Sequence, residues 1–279
     1  MAASDAVNGT SKKPITFGVS DKWLYDPTSK TYDLSRGSFK TLNIRTADES
    51  EPDPATSQQL ISLDPEKTAL VIVDMQNYFL HPKCRDHPLG LAAVEPTLAA
   101  LEKCRREAVQ VVWLNWGLTD DDLQTMPPSV QRGFSKDLIS GAQTGHAGLG
   151  ADLGDGQGRC LVAGSWNADV YAPLRAAMAD GDAQCAKNRM SGLWNPEQPL
   201  SRYLKVNDVK TCLFAGVNTD QCVLGTLTDA YSWGWDCILL GDCAATSTGR
   251  GAEAVCSYNI ANNYGFVIDS KSFAHATRS

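Results

Sequence analysis

Short apolar runs alternate with helical stretches along most of this chain. The first run, Thr68–Val73, is continuously apolar after its first residue, which is typical of a strand buried on both faces of a parallel sheet. In residues 94–107, Leu98, Leu101 and Cys104 recur at helical spacing and predict an amphipathic helix. The predicted strands are residues 68–73, 109–114, 183–187, 211–215, 235–240 and 265–269. The predicted helices are residues 94–107, 171–179, 199–205 and 220–233.

The alternation predicts an α/β fold, a doubly wound six-stranded parallel sheet between two layers of helices. We assign residues 61–279 to this domain. A loop insertion is expected at about residues 117–165, where glycines and prolines leave little periodicity, and insertions of this length are commonly lids or binding loops. Residues 1–60 are rich in Ser, Thr, Asp, Pro and Lys, and we expect an extended arm that docks on the body or on a neighbouring subunit.

Composition excludes several classes of protein. Hydrophobic residues make up 43% of the 279 residues, which excludes a disordered chain. The 25 Lys and Arg residues against 32 Asp and Glu give a net charge of −7, so we expect no nucleic-acid partner, since phosphates require clustered cations. No apolar run approaches the roughly 18–20 residues that span a bilayer, and the start of the chain carries Asp5 instead of positive charge. We therefore expect a cytoplasmic protein with no membrane partner.

The cysteines point to the same compartment. There are nine of them, an odd number, and several, such as Cys212 and Cys237, have apolar neighbours. These features predict reduced, buried thiols, not a disulfide framework. No Cys-x-x-Cys pair occurs, which argues against a thiolate zinc site or a dithiol redox centre.

Candidate chemistry lies just past the strands, because ligands of parallel sheets bind at the carboxyl ends. Asp74 follows the first strand directly, and partial desolvation would raise its pKa and suit it as a base. An Asp that only caps a loop or helix fits the position equally well. Lys187 ends the third predicted strand, and a cation there could favour a thiolate, although most lysines are simply solvated.

Cys222 begins the helix that follows the fourth strand. A thiol in the first turn faces the positive end of the helix dipole, which favours the thiolate and predicts a lowered pKa. The backbone N–H groups there could also bind a developing oxyanion. The alternative is that Cys222 is a small buried hydrophobe, the commoner fate of a cysteine. The glycine-led turn before it favours the functional interpretation.

Three segments together resemble the isochorismatase-like cysteine hydrolase superfamily over about residues 64–250. They are Val-Ile-Val-Asp-Met-Gln-Asn-Tyr-Phe at residues 71–79, Lys-x-Arg-x-Ser at 187–191, and Gly-Val-Asn-Thr-Asp-Gln-Cys-Val at 216–223. The resemblance implies a catalytic triad of Asp74, Lys187 and Cys222. It also implies a cis peptide at Val217–Asn218 and an oxyanion hole formed by Val217, Asn218 and Cys222.

The family's strand order, 3-2-1-4-5-6, puts Lys187 two strands from Asp74, roughly 10 Å away at the usual strand spacing. The lysine side chain must therefore lean across the second strand.

The family branches by chemistry. Isochorismatases typically lack the nucleophilic cysteine, which this chain keeps. Nicotinamidases resemble the same scaffold but add an Asp and His metal site just after the second strand, where residues 113–120 contain no histidine. His81 and His87 follow the first strand, and we interpret them as surface or loop histidines. We therefore expect no metal and no cofactor. The amidase or ureido-hydrolase branch remains, similar to N-carbamoylsarcosine amidase, with release of ammonia through a thioester.

Aromatic residues near the strand ends are candidates for the substrate pocket. Arg189 could hold a substrate carboxylate, or could pair with an acid at a subunit interface. Ordinary core packing is the alternative for each aromatic residue. The candidate substrate-binding residues are Phe79, Trp113, Trp116, Trp166, Arg189, Trp194 and Tyr231.

Two other functions fit the sequence. One is hydrolysis of an isochorismate-type or other non-amide substrate, and the other is a non-catalytic scaffold or effector with the same fold. The expected partners are a small-molecule substrate and further copies of the chain, since the resemblance and the aromatic arm favour a homo-oligomer, a dimer or tetramer.

Overall fold

Two β-sheets organise the computed structural model, which describes residues 13–46, 59–136 and 148–279. The strands of the described residues are, in chain order, β1 (Ile15–Phe17), β2 (Trp23–Asp26), β3 (Thr31–Asp33), β4 (Leu42–Arg45), β5 (Leu60–Leu63), β6 (Thr68–Val73), β7 (Gln110–Trp116), β8 (Ala183–Lys187), β9 (Thr211–Val217), β10 (Asp236–Ala245), β11 (Phe266–Ile268) and β12 (Thr277–Arg278).

Helices connect and cover these strands. The α-helices of the described residues are α1 (Asn77–Leu80), α2 (Pro88–Ala92), α3 (Val94–Glu107), α4 (Asp120–Thr125), α5 (Pro128–Gly133), α6 (Ala172–Arg175), α7 (Pro199–Val206), α8 (Leu224–Trp233), α9 (Ala252–Asn259) and α10 (Ser270–Ala274). A π-helical turn, Thr219–Val223, precedes α8. Among the helices described, none is long and apolar enough to cross a membrane.

The larger sheet confirms the expected fold. In the described residues its six strands are all parallel and pair in the order β8-β7-β6-β9-β10-β11, which is the order 3-2-1-4-5-6 among the predicted strands. The central strands β6 and β9 are buried along their whole length, as their continuous apolar runs require. Flanking helices complete the layers; in α3, for example, Leu101 and Cys104 are buried.

Because β6 and β9 are neighbours in the middle of this sheet, their carboxyl ends meet at one point. The segments that follow them run to opposite sides, so a crevice opens at the point where the strand order reverses. Asp74 leaves β6 at this point, and Asn218 leaves β9 there.

The smaller sheet contains most of the expected N-terminal arm. Its order is β1-β2-β3-β5-β4-β12, so strands of the arm pair with one another and with both ends of the domain. These strands are 2–4 residues long, too short to leave a hydrophobic period in the sequence. Residues 1–12 and 47–58 of the expected arm lie outside the described residues, and its boundary at residue 60 stays a prediction.

The arm contacts the body of its own chain. The indole N–H of Trp23 donates to Asp236 at 2.9 Å, and the guanidinium of Arg36 binds the same carboxylate, with one contact at 2.8 Å. The ring of Trp23 also packs against Phe266, with centroids 5.9 Å apart. Docking on a neighbouring subunit, and the oligomeric state, remain predictions.

The expected loop at residues 117–165 is partly helical. Thr119 caps α4 through a capping box with Asp122, and Pro128 occupies the first turn of α5, a position that proline favours. These are sequence signals of helix starts, but each helix has only six residues and is too short to show a period. Residues 137–147 of the insertion lie outside the described residues.

Candidate active site

The first strand of the larger sheet delivers Asp74 to the crevice. This residue follows β6 with a φ of 53°, and its backbone N–H donates to the carbonyl of Leu114 at 2.9 Å. Its Oδ1 accepts a hydrogen bond from the backbone N–H of Trp116 at 3.1 Å. The carboxyl end of β7 thus holds the carboxylate of Asp74 in place.

Lys187, the last residue of β8, reaches the same carboxylate. Its Nζ lies 2.9 Å from Oδ2 of Asp74, and both side chains are 0% exposed. The lysine side chain leans across β7, since Nζ lies 4.0 Å from the ring centroid of Trp116. Nζ also donates to the backbone carbonyl of Arg189 at 3.2 Å. The ammonium is therefore surrounded by a carboxylate, a carbonyl and an aromatic face, and by no solvent.

Cys222 completes the group. It lies in the π-helical turn after β9, and its Sγ is 3.5 Å from Nζ of Lys187. The Asp74 carboxyl group lies close enough to the thiol to act on its pKa. Cys222 as a whole is 4% exposed. Three distant segments of the chain thus bring one thiol and one carboxylate to the same ammonium.

Burial controls the proton affinities of this group. Desolvation raises the pKa of the Cys222 thiol to about 12, against the lowering effect of Lys187. Desolvation also raises the pKa of Asp74, and the nearby Lys187 ammonium opposes that shift. The expectation of a lowered thiol pKa is therefore wrong, because burial outweighs the helix start and the cation. In the resting site the sulfur holds its proton.

The turn between β9 and Cys222 contains the cis peptide that the resemblance implied, at Val217–Asn218. The side-chain Oδ1 of Asn218 lies 2.9 Å from Nε2 of His87 and accepts from the backbone N–H of Ser247 at 3.2 Å. His87 lies in the loop before helix α2, one of the two expected places, but it is not at the surface: it is 3% exposed and caps that helix. Its role in an N-cap was concealed because histidine is not a typical capping residue.

A cavity of about 1230 Å³ opens in front of this group. Cys222 and Asn218 lie at its wall, together with side chains from the loop after α1, from α5 and from the loop after β10. The lining residues are Phe79, Lys83, Cys84, Arg85, Asp86, His87, Trp116, Ser129, Val130, Gly133, Phe134, Lys136, Met190, Asn218, Asp220, Gln221, Cys222, Ser247 and Thr248.

A family model described as the isochorismatase domain matches residues 68–272, nearly three quarters of the chain, and spans all three members of the group. The chain belongs to the isochorismatase family. This membership agrees with the parallel sheet and its strand order, and makes the chain an isochorismatase-like hydrolase at the level of the family.

Solved structures share this isochorismatase-like fold. A cysteine hydrolase from Pseudomonas syringae pv. phaseolicola is 20% identical, with a TM-score of 0.60 over 76% of this chain and 92% of its own. An isochorismatase family protein from Desulfovibrio vulgaris is 21% identical, with a TM-score of 0.58 over 74% and 95%. N-carbamoylsarcosine amidase from Thermoplasma acidophilum is 23% identical, with a TM-score of 0.53 over 73% and 96%. At these identities the likeness shows the fold.

Two of the predicted substrate-binding residues of this isochorismatase-family chain line the cavity, namely Phe79 and Trp116. Trp113 does not, although it lies on the same strand as Trp116. Its indole N–H donates to Asp182 at 2.9 Å, and its side chain is fully buried in the core. Because side chains alternate along a strand, residues three apart point to opposite faces.

The other four predicted residues are also absent from the cavity lining. Trp166 packs edge-on against His81, with centroids 4.8 Å apart. The guanidinium of Arg189 stacks over Trp194 at 5.1 Å, and this indole is 42% exposed. Tyr231, on α8, is 49% exposed and packs against Tyr264. Proximity to a strand end in sequence therefore did not identify the residues that face the cavity.

Sequence reasoning missed the charged and aromatic part of the wall. Arg85 lies in the loop between α1 and α2, and its guanidinium donates to the hydroxyl of Tyr78 at 2.7 Å. The ring of Phe134 packs against Trp116 at 5.1 Å, so residues just after α5 cover the indole next to Lys187. The only sequence signal for either residue was its place in an aperiodic segment. Such a segment does not reveal the direction in which its side chains point.

In residues 13–46, 59–136 and 148–279, no group of three or more His, Cys, Asp or Glu side chains is arranged to hold a metal ion. The expectation of a site without metal or cofactor remains a prediction.

Proposed function

We propose that the chain is a cysteine-dependent hydrolase of a small amide or ureido substrate, with Asp74, Lys187 and Cys222 as its catalytic triad. The observation that carries the proposal is the position of one ammonium against both other groups, at the wall of a cavity. Lys187 lies 2.9 Å from Asp74 and 3.5 Å from Cys222. The thiol beside a carboxylate of raised pKa is an arrangement of nucleophile and base.

In the first half of the reaction, the Asp74 carboxylate accepts the thiol proton as Sγ of Cys222 attacks the carbonyl carbon. A C–S bond forms, and the carbonyl oxygen becomes an oxyanion. The backbone N–H groups of Asn218 and Cys222, in the turn that begins at Val217, would stabilise this charge. The intermediate then collapses with cleavage of the C–N bond, and the Asp74 carboxylic acid gives its proton to the departing nitrogen, so that ammonia and a thioester form.

In the second half, a water molecule attacks the thioester carbon while Asp74 accepts its proton. The C–S bond breaks, and the proton returns from Asp74 to the sulfur of Cys222. The raised pKa of Asp74 suits it both to accept a proton and to give it back. Its proton affinity is closer to that of the thiol, the leaving nitrogen and the water molecule with which it exchanges protons. The Lys187 ammonium, which lies beside both groups, balances the negative charge that moves between carboxylate and thiolate.

The choice of an amide substrate has independent support. The cysteine is present, whereas the isochorismatases themselves typically lack it. The similar structure of N-carbamoylsarcosine amidase from Thermoplasma acidophilum extends over 73% of the chain. By its name, that amidase acts on a molecule with a carbamoyl group.

The test is ammonia release over a panel of small amides and ureides, including N-carbamoylsarcosine, with isochorismate as the non-amide comparison. We expect ammonia from at least one carbamoyl compound, and loss of that activity in Cys222→Ala. Turnover of isochorismate alone would favour the non-amide alternative, and no turnover together with unchanged partner binding in Cys222→Ala would favour a scaffold.

A further inference from the structure

His87 and Asn218 form a polar contact at the cavity wall that the triad does not use. Nδ1 of His87 accepts a hydrogen bond from the backbone N–H of Gly90 at 3.0 Å. A ring nitrogen that accepts carries no proton, so in the neutral imidazole the proton is on Nε2. Burial favours this neutral ring, since it lowers the pKa of His87.

The protonated Nε2 fixes the orientation of the Asn218 amide. Nε2 lies 2.9 Å from the Asn218 side chain and is a donor, so the atom that faces it is the acceptor Oδ1. A second donor, the backbone N–H of Ser247, points to the same oxygen at 3.2 Å. Two independent donors thus assign the amide, and its NH₂ group lies on the other side.

That NH₂ group has no acceptor among residues 13–46, 59–136 and 148–279. In the part of the chain that the structure describes, no residue accepts a hydrogen bond from Nδ2 of Asn218, although the residue is 8% exposed. Asn218 lines the same cavity as Cys222. Among the described residues, Nδ2 does not belong to the fully buried atoms that lack a partner. This edge of the amide is therefore accessible, and its unused donor suits a ligand that supplies an acceptor.

We propose that Nδ2 of Asn218 donates a hydrogen bond to a carbonyl or carboxylate oxygen of the substrate, and that His87 is the residue that positions it. The inference rests on the proposed function and deepens it. It defines the substrate as a compound with an oxygen acceptor beside the carbon that Cys222 attacks, as amides and ureides have. A compound without such an acceptor loses this contact.

Other charged groups near His87 do not replace it in this role. Arg85 and Asp86 are its charged neighbours in sequence, and they act on its pKa in opposite directions. Lys83, Lys136 and Asp220 also line the cavity. In the described residues, none of these charged groups donates to Oδ1 of Asn218, which His87 and the Ser247 backbone occupy.

The test compares alkylation of Cys222 by two reagents. Iodoacetamide carries a carbonyl oxygen next to the carbon that reacts, and iodomethane has no acceptor. His87→Asn keeps a good N-cap for α2, but its shorter side chain ends before Asn218. His81→Asn is the matched control, because His81 does not belong to the cavity lining. Rates at Cys222 would be measured by peptide mass spectrometry at about pH 9, where more thiolate is present.

In His87→Asn we expect the rate with iodoacetamide, relative to iodomethane, to fall about 10-fold, as for loss of one good hydrogen bond. The iodomethane rate should be unchanged, and His81→Asn should leave the ratio unchanged. An unchanged ratio in His87→Asn would overturn the inference, as would an equal loss with both reagents. Because this assay needs no turnover, its failure is distinct from a failure of the ammonia assay.

A second measurement does not depend on how the variant folds. In the wild-type protein labelled with ¹⁵N-histidine, the nitrogen shifts of His87 should report a neutral ring with the proton on Nε2. A proton on Nδ1 would reverse the amide assignment and overturn the inference.

Discussion

Nζ of Lys187 lies 2.9 Å from Oδ2 of Asp74, and neither side chain has any exposed surface. Because both side chains are buried, each charge is stabilised by its partner in place of water. Coulomb attraction and the second contact of Asp74, with the backbone of Trp116, only partly offset the desolvation of the carboxylate, whose pKa remains raised. This pair therefore links the stability of the fold to the chemistry of the site.

Removal of the cation should destabilise the protein and stop turnover together. Lys187→Met leaves the Asp74 carboxylate buried without its partner, at a cost of about 3–5 kcal/mol in unfolding free energy. Urea unfolding would measure it. The double variant Asp74→Asn, Lys187→Met should recover part of that loss without recovering activity. Unchanged stability of Lys187→Met would contradict the buried pair.

The thiol of Cys222 should react slowly at neutral pH. Only the thiolate is nucleophilic, and a pKa of about 12 leaves about one thiolate in ten thousand at pH 8. The alkylation rate should therefore rise about tenfold per pH unit between pH 7 and 9, as peptide mass spectrometry would show. A plateau below pH 8 would mean that Lys187 outweighs burial, as the sequence alone suggested.

A fall in pH should lower the stability of the fold, and His87 should contribute to this loss. Its native pKa lies below the ordinary value of 6.5, so below about pH 6.5 the unfolded chain binds the proton more readily than the native state does. Stability then falls as the pH falls. His87→Asn removes this contribution, so the Tm difference between wild type and variant should shrink from neutral pH to about pH 5. A difference that stays constant over this range would contradict the buried neutral ring, and His81→Asn is the control.

The docking of the N-terminal arm on the body of the chain should depend on one buried carboxylate, that of Asp236. Asp236 accepts from Arg36, Trp23 and Thr211, and burial raises its pKa against the effect of Arg36. Arg36→Ala should cost about 3 kcal/mol, the low end for a broken buried pair because Arg36 is partly exposed.

Lys40→Ala is the control for this anchor, since it removes an ion pair with Glu66 in which both side chains are exposed. It should have little effect. Limited proteolysis would show whether residues 13–46 become accessible in Arg36→Ala alone. Equal stability of the two variants would mean that Asp236 does not anchor the arm.

Sequence reasoning succeeded where the chain is periodic. Continuous apolar runs gave the strands, and the strand ends gave Asp74 and Lys187, because a parallel sheet brings all its carboxyl ends to one edge. Motif resemblance supplied the cis peptide before Asn218. These features depend on local sequence and on a fold rule, so no tertiary contact had to be known in advance.

The cavity wall could not be predicted in the same way. Phe134 and Arg85 come from short or aperiodic segments, whose direction depends on packing. Tyr231 and Trp194, by contrast, lie close to strand ends in sequence but point outward. The prediction of a lowered pKa for Cys222 failed for a related reason. The start of the helix is visible in the sequence, whereas the burial that outweighs its effect on the pKa is a property of the tertiary structure.

The central claim is that the sulfur of Cys222 forms a covalent bond with the substrate. The most direct measurement is mass spectrometry of the protein after acid quenching during turnover of an amide that releases ammonia. We expect the Cys222 peptide to gain the mass of the acyl group, and Cys222→Ser to lose the thioester. Steady release of ammonia by Cys222→Ala, with no adduct on the wild-type peptide, would contradict the claim.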